Sequence, residues 1–339
     1  MAASGGFLAS RTAQRRPTTH RVPYVKRHEK YQRLLDLCKS ISPTPTAIAH
    51  PCDEASLKGA VEAAELGLIA PILVGPRKKV DSVAKQYGVD ISRHELVDAP
   101  YSLAAAEEAV RLVREGKAEM LMKGSLHTDE LMSAVVARDI GLRTSRRISH
   151  CFIMDVPALE QAIVITDAAV NIFPTLEDKV HITQNAIDLA HALGKSQPKV
   201  AILSAMETVN PKVQSTIDAA ALCKMSDRGQ ITGGILDGPL ALDNAINLTA
   251  ARIKKIESPV AGRADILIVP DLEAGNMLAK SLSFLADADA AGIVLGARVP
   301  IILTSRADSV MTRLASCAVA VLVAKARRGG ASEAVGHAA

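Results

Sequence analysis

From Lys30 onward the chain alternates short β-branched or apolar runs with longer Ala-rich stretches of helical periodicity. That rhythm is the mark of βα units feeding a mostly parallel sheet, and it constrains the fold more than any other feature. The spacing predicts strands at Thr46–His50, Pro71–Gly75, Glu119–Met122, Ile163–Thr166, Lys199–Ser204, Ile231–Leu236, Asp265–Val269, Gly292–Leu295 and Pro300–Leu303. Helices are expected at Glu54–Gly67, Ser102–Gly116, Leu176–Leu193, Pro211–Met225, Ala274–Leu285 and from Asp308 to about Lys325, several closed by glycine. So many units define an α/β, doubly wound class rather than α+β.

Hydrophobic residues make up 48% and charged residues 22%, the balance of a folded globular chain. The longest apolar runs, Ile69–Val74 and Cys317–Ala324, are too short to cross a bilayer, so no membrane partner is expected. Aromatics are 2% with no Trp, which leaves little surface for stacking single-stranded nucleic acid, and no nucleic-acid partner is expected either. Five scattered cysteines, Cys38, Cys52, Cys151, Cys223 and Cys317, form no CxxC or zinc spacing; a reducing, cytoplasmic setting and no metal site are expected. Residues 1–30 hold seven Lys/Arg against Glu29 alone, so a chain of net +4 is about −2 outside this arm, which reads as a solvated basic extension, with a transit peptide or a polyanion-binding tail as the alternatives.

Ligands of open α/β sheets bind beyond the carboxyl ends of strands, so the turns after strands are where chemistry is expected. At Lys123-Gly124-Ser125-Leu126-His127-Thr128 a strand ends, glycine admits close backbone approach, and Ser125 or Thr128 can cap a helix whose N-terminus attracts anions. Lys123 adds a point charge suited to phosphate. A polar cluster runs from Thr166 to Pro174, where Asp167 and Asn171 can orient a ligand or close Asx turns. Asp227-Arg228-Gly229 and Asp237-Gly238-Pro239 read as turns. Thr304-Ser305-Arg306-Ala307-Asp308-Ser309 ends a strand and opens the last helix, and Ser305 with Arg306 suits a phosphate or carboxylate. There is no GxGxxG after a strand, no GxxxxGK[ST], no GxSxG and no HExxH, so dinucleotide, NTPase, serine-hydrolase and zincin readings lack their central parts.

These turns, taken with LMKG (121–124), GLRT (141–144), Ser149-His150, NPKVQSTIDAAALCKMSDRGQI (210–231), DGPLALD (237–243), SPVAGRADILIVPDLEAGN (258–276) and TSRADS (304–309), resemble the phosphate acetyltransferase and phosphate butyryltransferase family over about Ala47–Ala324. KMSDRGQI, DGPLALD and TSRADS look nearer the butyryl branch. The resemblance implies two doubly wound three-layer α/β/α domains, isocitrate/isopropylmalate dehydrogenase-like, with a cleft between them. It places a first domain at 29–155 plus 296–328, a second, dimerising domain at 156–295, a basic extension at 1–28 and a flexible tail at 329–339.

It further implies a homodimer that moves a short acyl group, acetyl or butyryl, between coenzyme A and inorganic phosphate, with CoA as substrate and no bound cofactor. Ser305 and Arg306 correspond to the family's phosphate- and carbonyl-binding pair. Thr312 stands where the family's proposed base, an Asp, is found, which makes Asp308 the substitute candidate. Lys123, Gly124, Ser125, His127, Thr128, Arg143, Asn171 and Pro174 are the expected phosphate and CoA contacts. Leu131-Met132 replaces a common Leu-Arg, so an anion contact is expected either to be missing or to be supplied by Arg143, Arg146 or Arg147. The alternatives are a non-catalytic CoA- or acyl-phosphate-sensing module, favoured by Thr312 and Met132, and a metal-dependent hydroxyacid dehydrogenase, which lacks a convergent Asp set.

Overall fold

The computed structural model describes residues 29–304 and 309–336. In chain order the elements are α1 (Glu29–Cys38), β1 (Thr44–Ala49), α2 (Glu54–Glu65), β2 (Ile69–Gly75), α3 (Arg77–Tyr87), β3 (Glu95–Asp98), α4 (Ser102–Arg114), β4 (Met120–Lys123), α5 (Thr128–Val136), β5 (Ser149–Asp155) and β6 (Ile163–Thr166). They continue with α6 (Leu176–Ala192), β7 (Lys199–Leu203), α7 (Gln214–Asp227), β8 (Ile235–Leu240), α8 (Leu242–Ile246), α9 (Leu248–Ile253), β9 (Ile266–Ile268), α10 (Leu272–Leu285), β10 (Asp289–Leu295), β11 (Ile301–Ile302) and α11 (Val310–Gly336).

The strands form one sheet in the order β3-β2-β1-β4-β11-β10-β5-β6-β9-β7-β8. The run from β3 to β11 is parallel throughout, and so is the run from β6 to β8. Between them, β10 is antiparallel to both β11 and β5, and β5 to β6. Two parallel blocks are thereby joined through the seven-residue ladder of β5 and β10.

Helices cover both faces, as the buried patterns require. On β1, Ile48 belongs to a core shared with α2 and α11, while Ala47 and Ala49 point into a second core with α4. In the second block α6 and α7 share the first core, and the opposite face meets α8, α9 and α10. The run Cys317–Ala324 is buried on all sides because α11 fills the space between the two blocks' helices.

Three expectations need correction. The strand expected at Ile231–Leu236 lies at Ile235–Leu240, and Asp237-Gly238-Pro239 is strand rather than turn. Proline is admissible there because β8 is an edge with β7 on one side only. The last helix does not stop at Lys325, and the tail expected from 329 is helical to Gly336. Arg327 donates to the carbonyls of Ala297 and Arg298, and Arg328 pairs with Glu119 at 2.9 Å, which ties these later turns to the sheet. Finally, β5, α1, α3 and β3 are elements the periodicity did not reveal.

Candidate active site

A cleft of about 900 Å³ has β5 and β10 as its floor. One wall comes from the carboxyl ends of β4 and β11 together with the start of α11: Lys123, His127, Thr128, Leu303, Thr304, Ser309 and Thr312. The other is α10, through Leu272, Asn276, Lys280 and Phe284.

Lys123 is the last residue of β4, beside Ala49 of β1, and is 4% exposed. The chain then bends so that the N–H groups of Gly124 and Ser125 donate to the carbonyls of Ala49 and His50, each at 2.9 Å. Gly124 has no room for a side chain, since a Cβ would lie 2.5 Å from the His50 carbonyl oxygen and closer still to that of Ala49. The Ser125 hydroxyl donates to the His50 carbonyl at 2.9 Å and accepts from the Cys52 N–H at 3.1 Å. Ser125 and Gly124 thus hold the turn, and neither lines the cleft. The cap of α5 is His127, whose N–H donates to Glu130 at 2.8 Å, and not Ser125 or Thr128 as expected; Ser102 fixes that carboxylate at 2.5 Å.

Behind that wall, the buried guanidinium of Arg313 donates to Thr304 Oγ1 at 2.9 Å. Ser309 Oγ accepts from the Thr312 N–H at 3.1 Å and caps α11. Ser305, Arg306 and Asp308 lie outside the described residues, but Thr304 and Ser309, immediately before and after that segment, both line the cleft.

Three expected contacts lie elsewhere. Arg143 is exposed and forms a lone bridge to Ala297. Asn171 is buried and bonded internally, donating to the Ile148 carbonyl and the Asp167 carboxylate and accepting from Arg147 Nε at 2.7 Å. Asp167 in turn accepts from the N–H groups of Ala169, Val170 and Asn171, so the cluster closes its own turn. Pro174 is half-buried and leads into Thr175, the cap of α6. Arg146 and Arg147 pair with Asp188 and Asp178, at 3.1 and 3.4 Å. Met132 packs against the apolar core behind α5. Among the described residues no group of three His, Cys, Asp or Glu is placed to hold a metal ion.

Two histidines border this region. Burial holds His50 below the usual imidazole range and the Lys79 ammonium adds to it, while Glu130, the Ser125 contact and Asp53 oppose. Burial also holds His150, on the cleft floor, below that range against the pull of Asp167. An unfolded histidine titrates near about 6.5, so below that pH the unfolded chain binds more protons than the folded one, and stability is lost as pH falls. The thermal midpoint is expected to be lower at pH 5.5 than at 7.5. His50→Asn should lessen that drop, since Asn tolerates the positive φ of 55° at this position; an equal drop in the variant would contradict the assignment.

Sequence reasoning missed the floor. His150, Phe152 and Met154 alternate along β5 toward the cleft, and their period of two was the available signal.

Fold and cleft together define a doubly wound α/β protein whose cleft has a wall carrying Lys123 and His127 facing a largely apolar floor. The family model of phosphate acetyl/butaryl transferase matches residues 102–321. A phosphate acetyltransferase of Rhizobium meliloti is 66% identical over 88% of this chain and 95% of its own length. A phosphate butyryltransferase of Clostridium beijerinckii is 42% identical over 87% and 98%. The crystal structure of a branched-chain phosphotransacylase from Enterococcus faecalis superposes with a TM-score of 0.73 at 30% identity, covering 83% of this chain and 99% of that one. The chain belongs to the phosphate acetyl/butyryl transferase family.

Proposed function

We propose that this protein transfers a short acyl group reversibly between coenzyme A and inorganic phosphate in the cleft between β4, β11 and α10. Family membership carries the activity, and the arrangement suits it: Lys123, His127, Thr128 and Thr304 gather on the wall opposite the apolar floor, and Ser305 and Arg306 follow Thr304 directly in sequence. A phosphate oxygen attacks the thioester carbon, a C–O bond forms, the C–S bond breaks, and the phosphate proton ends on the CoA sulfur. Phosphate is already a nucleophile, so approximation and charge stabilisation suffice, through Ser305 and Arg306 with Asp308 as acid–base partner.

The acyl group we assign is acetyl. Whole-chain identity is higher to the acetyl-named relative than to the butyryl-named one, 66% against 42%, although single stretches resemble the butyryl branch. CoA release from acetyl-, propionyl- and butyryl-CoA, with and without phosphate, tests both points. Phosphate-dependent release fastest with acetyl-CoA is expected; fastest release with butyryl-CoA would move the assignment to the other branch.

We place the two domains at 29–155 with 296–328 and at 156–295, in keeping with the two parallel blocks of the sheet. The homodimer is assigned to the second, where Ile172, Phe173, Met277 and Leu285 are 60–86% exposed. A cytoplasmic location accords with five free cysteines, four of them buried.

A further inference from the structure

The cleft floor is an ordered row. Along β5 the cleft-facing residues are His150, Phe152 and Met154; across the ladder β10 sets Gly292 opposite Phe152 and Ala290 opposite Met154. The row has a polar head and an apolar remainder. His150 is 1% exposed, yet its Nδ1 has no hydrogen-bond partner among the described residues. The ring stands edge-on to Phe152, centroids 4.4 Å apart. A buried polar atom without a partner is costly, and native structures leave few, often at sites completed by a ligand. Gly292 lets the ring pack close against the β10 backbone. A Cβ there would stand 3.1 Å from His150 Nε2 and 3.1 Å from the Leu303 carbonyl oxygen, on the side where the wall with Thr304 begins.

We propose that the His150 imidazole donates a hydrogen bond to the thioester carbonyl of bound acyl-CoA, with the acyl chain lying along Phe152 toward Met154. This rests on the acyl-transfer reading above and makes His150 a catalytic residue of that reaction. As the phosphate oxygen bonds to the carbonyl carbon, negative charge grows on the carbonyl oxygen; as the C–S bond breaks, the charge returns and the sulfur takes the phosphate proton. An imidazole N–H facing that oxygen stabilises the charge without giving up its proton. Burial keeps the ring neutral, with one N–H donor and one acceptor.

The test is steady-state kinetics of His150→Ala, His150→Asn, Gly292→Ala and Phe152→Ala with acetyl-CoA and butyryl-CoA, alongside the thermal midpoint of each. His150→Ala is expected to lower kcat about tenfold or more while the KM for phosphate stays within about twofold, the pattern of an interaction made chiefly in the transition state. His150→Asn keeps an N–H donor and should recover part of the loss. Gly292→Ala should lower kcat by crowding the ring, and Phe152→Ala should raise kcat/KM for butyryl-CoA relative to acetyl-CoA. A folded His150→Ala enzyme with wild-type kcat would overturn the proposal, and so would equal losses in His150→Ala and His150→Asn. If His150→Ala does not fold, an unchanged kcat in Gly292→Ala overturns it, and an unchanged acyl preference in Phe152→Ala removes the acyl path. Wild-type enzyme that shows no phosphate-dependent release would instead sink the transfer reading itself.

Discussion

Arg306→Ala is expected to lower phosphate-dependent CoA release by about 10² to 10³-fold, the loss that follows removal of one group stabilising charge in an acyl-transfer transition state, roughly 2.7 to 4 kcal/mol. Arg306 stands in sequence between Thr304 and Ser309, which both line the cleft. It follows a strand whose neighbour β4 ends in the cleft residue Lys123. The proposed transfer has two negative or developing negative groups to hold, the phosphate and the thioester oxygen, and a guanidinium can serve both with its fork of donors. Arg306→Lys should fall between wild type and Arg306→Ala, since it keeps the charge and loses the bidentate geometry. Initial rates at saturating acetyl-CoA and varied phosphate would measure both. A loss below tenfold in a folded Arg306→Ala enzyme would remove this residue from the chemistry.

The second large effect concerns stability and site together. Gly124→Ala should destabilise the protein by about 3 kcal/mol, at the upper end of typical overpacking, because the new methyl meets backbone carbonyls rather than movable side chains. The carbonyls of Ala49 and His50 are themselves fixed by the N–H groups of Gly124 and Ser125, so the turn cannot yield without breaking those bonds. At roughly 1.4 °C per kcal/mol for a chain of this size, the thermal midpoint should drop by about 4 °C. Activity should fall as well, since Lys123 and His127 enter the cleft from this turn. Calorimetry and rate measurements on the variant check both; a midpoint within a degree of wild type would show that the two strand ends can separate freely.

Much of the sheet was legible because its strands are apolar on both faces. Thr44–Ala49 and Met120–Lys123 are buried on two sides between helical layers, and such short apolar runs between Ala-rich helices announce themselves. Ser149–Asp155 did not, because it opens on Ser and His and is followed by no glycine turn; the period of two from His150 to Met154 was its one local signal. Pro239 hid the true position of β8, since a proline in a strand is admissible only at an edge and edges are a property of the whole sheet.

The site divides in the same way. Lys123, His127 and Thr128 line the cleft where the rule of strand carboxyl ends, which is local, directs attention. Asn171 was drawn in by residue type alone, and its amide and carbonyl are taken up by Asp167, Ile148 and Arg147. Arg143 carries the right charge on an exposed segment that lines another part of the surface. The floor as a whole was not legible because it is assembled from β5 and β10, more than a hundred residues apart in sequence, and the alternation along β5 marks only half of it.

The most direct test of acyl transfer is to identify the product. Acetyl-CoA, inorganic phosphate and the enzyme should give free CoA thiol and acetyl phosphate in equal amounts, the latter trapped by hydroxylamine or seen by phosphorus NMR, and acetyl phosphate with CoA should run the reaction backward. Free acetate without acetyl phosphate, or CoA release indifferent to phosphate, would contradict the account.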